Sequence, residues 1–92
     1  MNTVLISYDL RVPETPSDYN RIINYIKSFY YWSKPLKSLW FVKTDKSTEV
    51  IRNEIKAIID QNDGILILDI NVLDWATIGI SKEVTDWMSS NI

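Results

Sequence analysis

Hydrophobic residues along this 92-residue chain alternate between two periods, which predicts short strands separated by amphipathic helices. Residues Thr3–Leu10 have the two-residue period of a β-strand. Tyr8 shares with Val4 and Ile6 the face that we expect to be buried, whereas Asp9 lies on the opposite, partly open face. A carboxylate therefore stands where a buried strand leaves the core.

Two segments have the three-to-four-residue period of an amphipathic helix. In the first, "TPSDYNRIINYIKSFYYW", Thr15 suits the N-cap and Pro16 the first helical position, and Pro35 disfavours helix further on. In the second, "DKSTEVIRNEIKAIIDQNDG", Ser47 is the expected cap and Asn62-Asp63-Gly64 the stop signal. The apolar stripes are Tyr19, Ile22, Ile23, Ile26 and Phe29 in the first helix and Ile51, Ile55, Ile58 and Ile59 in the second.

The rest of the chain supplies further strands. Between the helices there is room for a β-hairpin, with Tyr30–Trp32 as one strand, Ser33–Lys37 as the turn and Ser38–Lys43 as the second strand. A strongly apolar strand follows at Ile65–Ile70, and a short final strand is predicted around Trp75–Ile78.

The C-terminal segment "SKEVTDWMSSNI" predicts a short helix, capped by Ser81, in which Val84, Trp87 and Met88 face inward. The resulting order, βαββαβ followed by this helix, fits one domain over residues 1–92. If both main helices pack on one face of the sheet, the fold is a ferredoxin-like α+β sandwich.

The amino-acid composition limits the catalytic groups and metal sites that this chain can have. The chain has no Cys and no His, which excludes a disulfide framework, a Cys/His zinc site and a histidine base. Catalysis would depend on carboxylates, Lys, Tyr, Ser/Thr or a metal held by oxygen ligands. The net charge of −2 and the pI of about 4.9 disfavour RNA or DNA as a partner. No segment approaches the ~20 apolar residues of a membrane span, and no signal peptide is apparent, so we expect a cytoplasmic protein.

The segments "VLISYDL", "PLKSLWFVKT", "NDGILILDI" and "WATIGISKEVTDWM" follow one another in this order. With this arrangement the chain resembles the SinR-like family, a branch of the small CRISPR-associated endoribonuclease and VapD-like superfamily. Tyr8-Asp9 and Ser38-Leu39-Trp40 are the motifs that carry the resemblance. It implies a ferredoxin-like homodimer, formed through the sheet faces opposite the helices, with Asp9 of each protomer near the dimer axis.

The resemblance implies that this protein is a metal-dependent endoribonuclease or is derived from one. Asp9 would be both catalytic residue and metal ligand, since two Asp9 carboxylates can share one Mg²⁺. The candidate contacts to nucleic acid or phosphate are Tyr8, Arg11, Lys37 and Trp40. Lys37 belongs to a group of lysines around the hairpin, which are Lys34, Lys37, Lys43 and Lys46.

Each candidate also has a structural interpretation. Asp9 could end the strand and accept hydrogen bonds from the backbone of the following turn, and Tyr8 lies on the core face. One of Trp40 and Phe41 points away from the helices, either to stack on a base or to be buried in a dimer interface. A second function therefore stays open, a non-catalytic dimeric module that binds a protein partner or a small nucleotide in phage–host conflict.

Overall fold

The computed structural model describes residues 1–11, 16–60, 62–71 and 74–92. Its elements are β1 (Asn2–Asp9), α1 (Pro16–Lys27), β2 (Tyr31–Leu36), β3 (Leu39–Thr44), α2 (Thr48–Lys56), β4 (Gly64–Ile70) and α3 (Lys82–Asn91). The predicted α+β class is confirmed. No helix within these residues meets the length and hydrophobicity that a bilayer-spanning segment requires.

The four strands form one antiparallel sheet in the order β2-β3-β1-β4. Ile6 on the central strand β1 lies opposite Trp40 on β3 and Ile67 on β4. Directly paired residues point to the same face of a sheet, and α1 and α2 cover this face. Its buried core consists of Val4, Ile6, Tyr8, Leu10, Ile22, Ile26, Phe29, Trp40, Val42, Ile51 and Ile55. The predicted buried face of the first strand is thus confirmed.

The hairpin between the two main helices is confirmed, but its turn is shorter than predicted. β2 continues to Leu36 and the turn consists of Lys37 and Ser38, whereas the sequence pattern places it at Ser33–Lys37. The strand tolerates Pro35 because β2 is an edge strand, where a missing N–H costs no ladder hydrogen bond. The pairing of β2 with β3 is irregular beside this proline.

Serine residues cap two of the helices as the sequence predicts. Ser47 Oγ accepts a hydrogen bond from the Val50 amide at 3.1 Å, and Ser81 Oγ accepts one from the Val84 amide at 3.2 Å. The third predicted cap, Thr15, lies outside the described residues.

Both main helices end before their apolar stripes do. α1 ends at Lys27, and Phe29 is buried in the connection that follows. α2 ends at Lys56, and Ile58 and Ile59 are half-buried beyond it. The last hydrophobic residues of each stripe therefore pack on the core from the turns that follow the helices.

The C-terminal helix α3 lies on the face of the sheet opposite α1 and α2. The Trp87 ring stacks on Phe41, with 6.2 Å between ring centroids, and Thr3 Oγ1 donates a hydrogen bond to the Asn91 carbonyl oxygen at 2.6 Å. Phe41, Thr3 and Met88 are buried as a result. The inward side of α3 is as predicted, but α3 covers part of the sheet face that was expected to form the dimer interface.

The predicted final strand at Trp75–Ile78 is wrong. These residues form no strand, and the side chain of Ile78 is 97% exposed. Gly79 follows with a φ of +71°, a left-handed conformation that glycine adopts without steric cost. The segment therefore turns the chain towards α3 instead of extending along the sheet.

A polar network links α1 to α2. The Tyr25 hydroxyl donates to Glu54 Oε1 at 2.6 Å, and Lys46 Nζ donates to both carboxylate oxygens of Glu54, at 2.8 and 3.2 Å. The hydrogen bonds from Lys46 and then Tyr25 lower the pKa of Glu54. Burial, together with the Glu54 carboxylate, raises the pKa of Tyr25 far above its ordinary value, which keeps the phenol protonated as a donor.

We expect Glu54→Gln to be more destabilising at neutral pH than in acid. The pKa of Glu54 is lower in the folded than in the unfolded protein, so its contribution is complete above about pH 4.3 and disappears as the pH falls through the folded value. The effect is modest because solvent screens this partly exposed carboxylate. Urea unfolding at about pH 7 and pH 3 measures it.

The control for this experiment is Glu49→Gln, which removes an exposed carboxylate from the same helix. It gives the change for the loss of a carboxylate whose contacts are weak, since Glu49 lies in the first turn and forms only a loose ion pair with Arg52 at 3.9 Å. A Glu54→Gln effect that is the same at both pH values, or no larger than that of Glu49→Gln, would show that the network contributes nothing.

Candidate functional site

Asp9 is the last residue of β1, and its side chain is exposed at one end of the sheet. On one side it is paired with Gly64, the first residue of β4. On the other side the Tyr8 amide donates to the Ser38 carbonyl oxygen at 3.2 Å, which brings the hairpin turn with the exposed Lys37 to the same end. Three separate segments of the chain thus meet around Asp9.

Arg11 is fixed beside Asp9 by the turn between α2 and β4. Its amide donates to Asp63 Oδ1 at 2.8 Å, and its Nη1 donates to the Asn62 carbonyl oxygen at 3.0 Å. A Cβ at Gly64 would lie 2.8 Å from Arg11 Nη2, so the glycine makes room for the guanidinium. The position of this side chain is therefore explained by contacts within the chain.

The Asp9–Arg11 pair itself is loose. Arg11 Nε lies 3.7 Å from Asp9 Oδ2, and both side chains are more than half exposed. Exposed ion pairs of this kind contribute about 0–1 kcal/mol. The guanidinium nevertheless places a positive charge next to the carboxylate, which weakens the attraction of that carboxylate for a metal cation.

Asp63 organises the backbone at this end of the sheet. Its Oδ1 accepts from the amide of Arg11 and its Oδ2 from the amide of Asp60, the latter at 3.0 Å. In the sequence, Asp63 is recognisable only as part of a turn signal. Its role in joining β1 to the α2–β4 turn depends on a pairing across 52 positions, which no local pattern reveals.

Two of the predicted nucleic-acid contacts are core residues. Trp40 is 1% exposed, and its Nε1 donates to the hydroxyl of the buried Tyr8 at 3.2 Å. Both lie on the face that α1 and α2 cover, where neither side chain is exposed to a ligand. Phe41, the alternative to Trp40, points to the opposite face but is buried under Trp87.

Around Asp9, the described residues offer few ligands for a metal ion. Over the described ranges, no group of three or more His, Cys, Asp or Glu side chains is placed to hold a metal ion. Mg²⁺ is commonly bound by one or two carboxylates with water and substrate oxygens. Here the Asp9 carboxylate stands beside the Arg11 guanidinium, and no other carboxylate among the described residues lines the cavity at Asp9.

The sheet face opposite α1 and α2 is covered only in part by α3, and the part next to Asp9 is exposed. On β4, Leu66 is 54% and Leu68 44% exposed, and they lie opposite the half-buried Ser7 and Leu5 on β1. We call these four residues the open half-face. It is continuous with a shallow cavity of about 320 Å³ that Asp9 helps to line.

Asp9, Arg11 and Lys37 thus lie together at one end of the sheet, beside an apolar surface. No family model matches the chain, and neither does any curated protein or solved structure.

Proposed function

We propose that this protein is a homodimeric, non-catalytic binding module with the ferredoxin-like fold of the SinR-like family, whose subunits join through the open half-face. The strand order β2-β3-β1-β4, with α1 and α2 on one face, supports this fold. The observation that carries the dimer is the pair of exposed leucines, Leu66 and Leu68, on an edge strand.

The two edges of the sheet differ in a way that favours this interface. Proteins protect exposed edge strands with lysine, proline or irregular pairing. β2 has all three, with Lys34, Pro35 and a shift in register, whereas β4 reads "GILILDI" and has no basic residue or proline. A second copy can cover the leucines on the face of such a strand because a two-fold interface joins the same patch on both subunits.

The dimer is tested by Leu66→Lys combined with Leu68→Lys. We expect the wild type to have twice the 10.8 kDa mass of the chain in light scattering at micromolar concentration, and the variant to be monomeric. Both side chains are exposed in the protomer, so the variant should stay folded by circular dichroism.

Leu36→Lys is the matched control, since Leu36 is a similarly exposed leucine on β2, at the opposite edge of the sheet from β4. It should remain dimeric. A monomeric wild type, or a dimer that persists in the double variant, would contradict this interface.

The exposure of Asp9 favours a second candidate function, that of a metal-dependent endoribonuclease. Asp9 lies on the same face of β1 as Ser7 and Leu5, at the margin of the open half-face. A dimer through that surface would bring the Asp9 carboxylates of two protomers towards one another. The pair would then supply the two ligands that a shared Mg²⁺ site needs.

The two candidates predict different results with labelled single-stranded RNA and duplex DNA. We expect neither the wild type nor Asp9→Asn to cleave them, with Mg²⁺, with Mn²⁺ or with a chelator. The comparison is made on protein shown to be dimeric. Cleavage that requires metal and is lost in Asp9→Asn would instead establish the endoribonuclease and overturn the non-catalytic proposal.

A further inference from the structure

An exposed aromatic surface lies at the sheet edge away from the open half-face. Tyr30, just before β2, is 84% exposed, and Tyr31 and Trp32 at the start of β2 are 44% and 39% exposed. We call these three residues the edge aromatic patch. It wraps around the edge, because Trp32 is paired with Val42 on the face of α1 and α2, whereas Tyr31 is paired with Lys43 on the other face. β2 and β4 are the opposite edges of the sheet, so this patch is separate from the proposed dimer interface.

The aromatic rings of the patch are held in place by their neighbours. The Trp32 ring packs against the buried Trp40, with 5.4 Å between centroids at an angle of 61°. Tyr30 and Tyr31 are in edge-to-face contact at 4.6 Å. Rings fixed in this way lose little conformational freedom when a flat ligand stacks on them.

Two lysines flank these rings. Lys27 Nζ lies 5.5 Å from the centroid of Trp32, and Lys34 Nζ lies 5.2 Å from that of Trp40. Within the described residues neither forms an ion pair, in contrast to Lys46 and Lys82, which bind Glu54 and Asp86. Both ammonium groups are therefore available to an anionic ligand although the chain as a whole is acidic.

This combination is typical of one class of ligand. Lysine is depleted in protein–protein interfaces, whereas sites for single-stranded nucleic acid combine aromatic rings, on which bases stack, with cations that bind phosphates. Pro35 and the irregular pairing of β2 also oppose the addition of a peptide strand at this edge.

We propose that the edge aromatic patch binds single-stranded nucleic acid. Bases stack on Trp32 and Tyr30, and Lys27 and Lys34 bind the phosphates. This site goes beyond the proposed function and does not depend on the dimer, because it lies on the other edge of the sheet.

Glu83 is an acidic residue close to the edge aromatic patch. A cavity of about 290 Å³ beside the patch is lined by Trp32, Lys34 and Glu83, among others. The Glu83 carboxylate repels phosphate at this position, so Glu83→Gln should strengthen binding. A merely structural role of the patch predicts no such gain.

The experiment measures the fluorescence anisotropy of labelled single-stranded RNA and DNA of about 12 nucleotides, within the usual site size, at low salt with chelator. We expect affinity that falls as salt rises. Trp32→Ala, Tyr30→Ala and the double variant Lys27→Ala/Lys34→Ala should each weaken it about five-fold or more, whereas Trp75→Ala should not. Tyr30→Ala keeps the test decisive if Trp32→Ala unfolds.

Three results would overturn the proposal. One is binding that is absent at low salt or indifferent to these variants. Another is equal affinity for duplex DNA, which would show attraction to phosphate alone. The third is displacement of the labelled strand by an acidic peptide as effectively as by unlabelled RNA, which would identify an acidic protein segment as the ligand instead.

Discussion

Replacement of Trp40 by alanine is expected to lower the free energy of unfolding by about 3–5 kcal/mol. The indole is 1% exposed, packs against Trp32 and donates its N–H to Tyr8. Its removal leaves a cavity and an unpaired buried hydroxyl, both of which are costly. A small domain has only about 5–15 kcal/mol of stability, so urea unfolding should show a large decrease in the transition midpoint.

Trp75→Ala is the matched control for this loss, because Trp75 is 36% exposed in a segment that forms no strand. Its effect should stay within about 0.5 kcal/mol. If Trp40→Ala cost less than about 1 kcal/mol, the indole could not be the centre of the core. The stacking role that the sequence suggested for Trp40 would then have to be considered again.

Local patterns predicted the parts of the fold that depend on local physics. The two-residue period of β1 identified Val4, Ile6 and Tyr8 as buried, and the serine caps of α2 and α3 followed from side chains next to the backbone they bind. The position of the hairpin turn did not follow in the same way. Pro35 indicates a turn unless its strand lies at the edge of the sheet. Whether β2 is an edge strand depends on pairings between distant segments, which the local sequence does not show.

For the candidate site, too, the sequence predicted the features that depend on local pattern and not those that depend on long-range contacts. The position of Asp9 at the exposed end of β1 follows from alternation alone. The anchoring of Arg11 by Asp63 does not, because it joins segments that are far apart in the chain. Alternation also predicted that Trp40 and Phe41 point to opposite faces of the sheet. It did not predict that α3 covers the face of Phe41, since tertiary packing determines where a terminal helix lies.

The opposite edges of the sheet have opposite chemistry, which is consistent with one role for each. β4 has exposed leucines and neither lysine nor proline, whereas β2 has aromatic rings, a lysine and a proline. An aliphatic surface gains free energy when a second copy buries it. A surface of rings and ammonium groups gains it from a ligand with flat bases and negative charge.

Trp87→Ala is expected to lower the free energy of unfolding by about 2 kcal/mol and to release α3 from the sheet. Trp87 is half-buried and stacks on Phe41 with the ring planes only 8° apart, so the variant loses both apolar burial and a ring contact. Urea unfolding measures the loss. Hydrogen exchange should show reduced protection of residues 84–92, including the Ile92 amide that binds the Met88 carbonyl.

Lys82→Ala is the control on the same helix, since the ion pair of Lys82 with Asp86 lies at the surface and contributes little. If Trp87→Ala cost no more than this control, α3 would not be packed on the sheet as described. Release of α3 has a further consequence, because Phe41 and Thr3 would then extend the open half-face. Trp87→Ala should accordingly increase self-association, whereas Lys82→Ala should leave it unchanged.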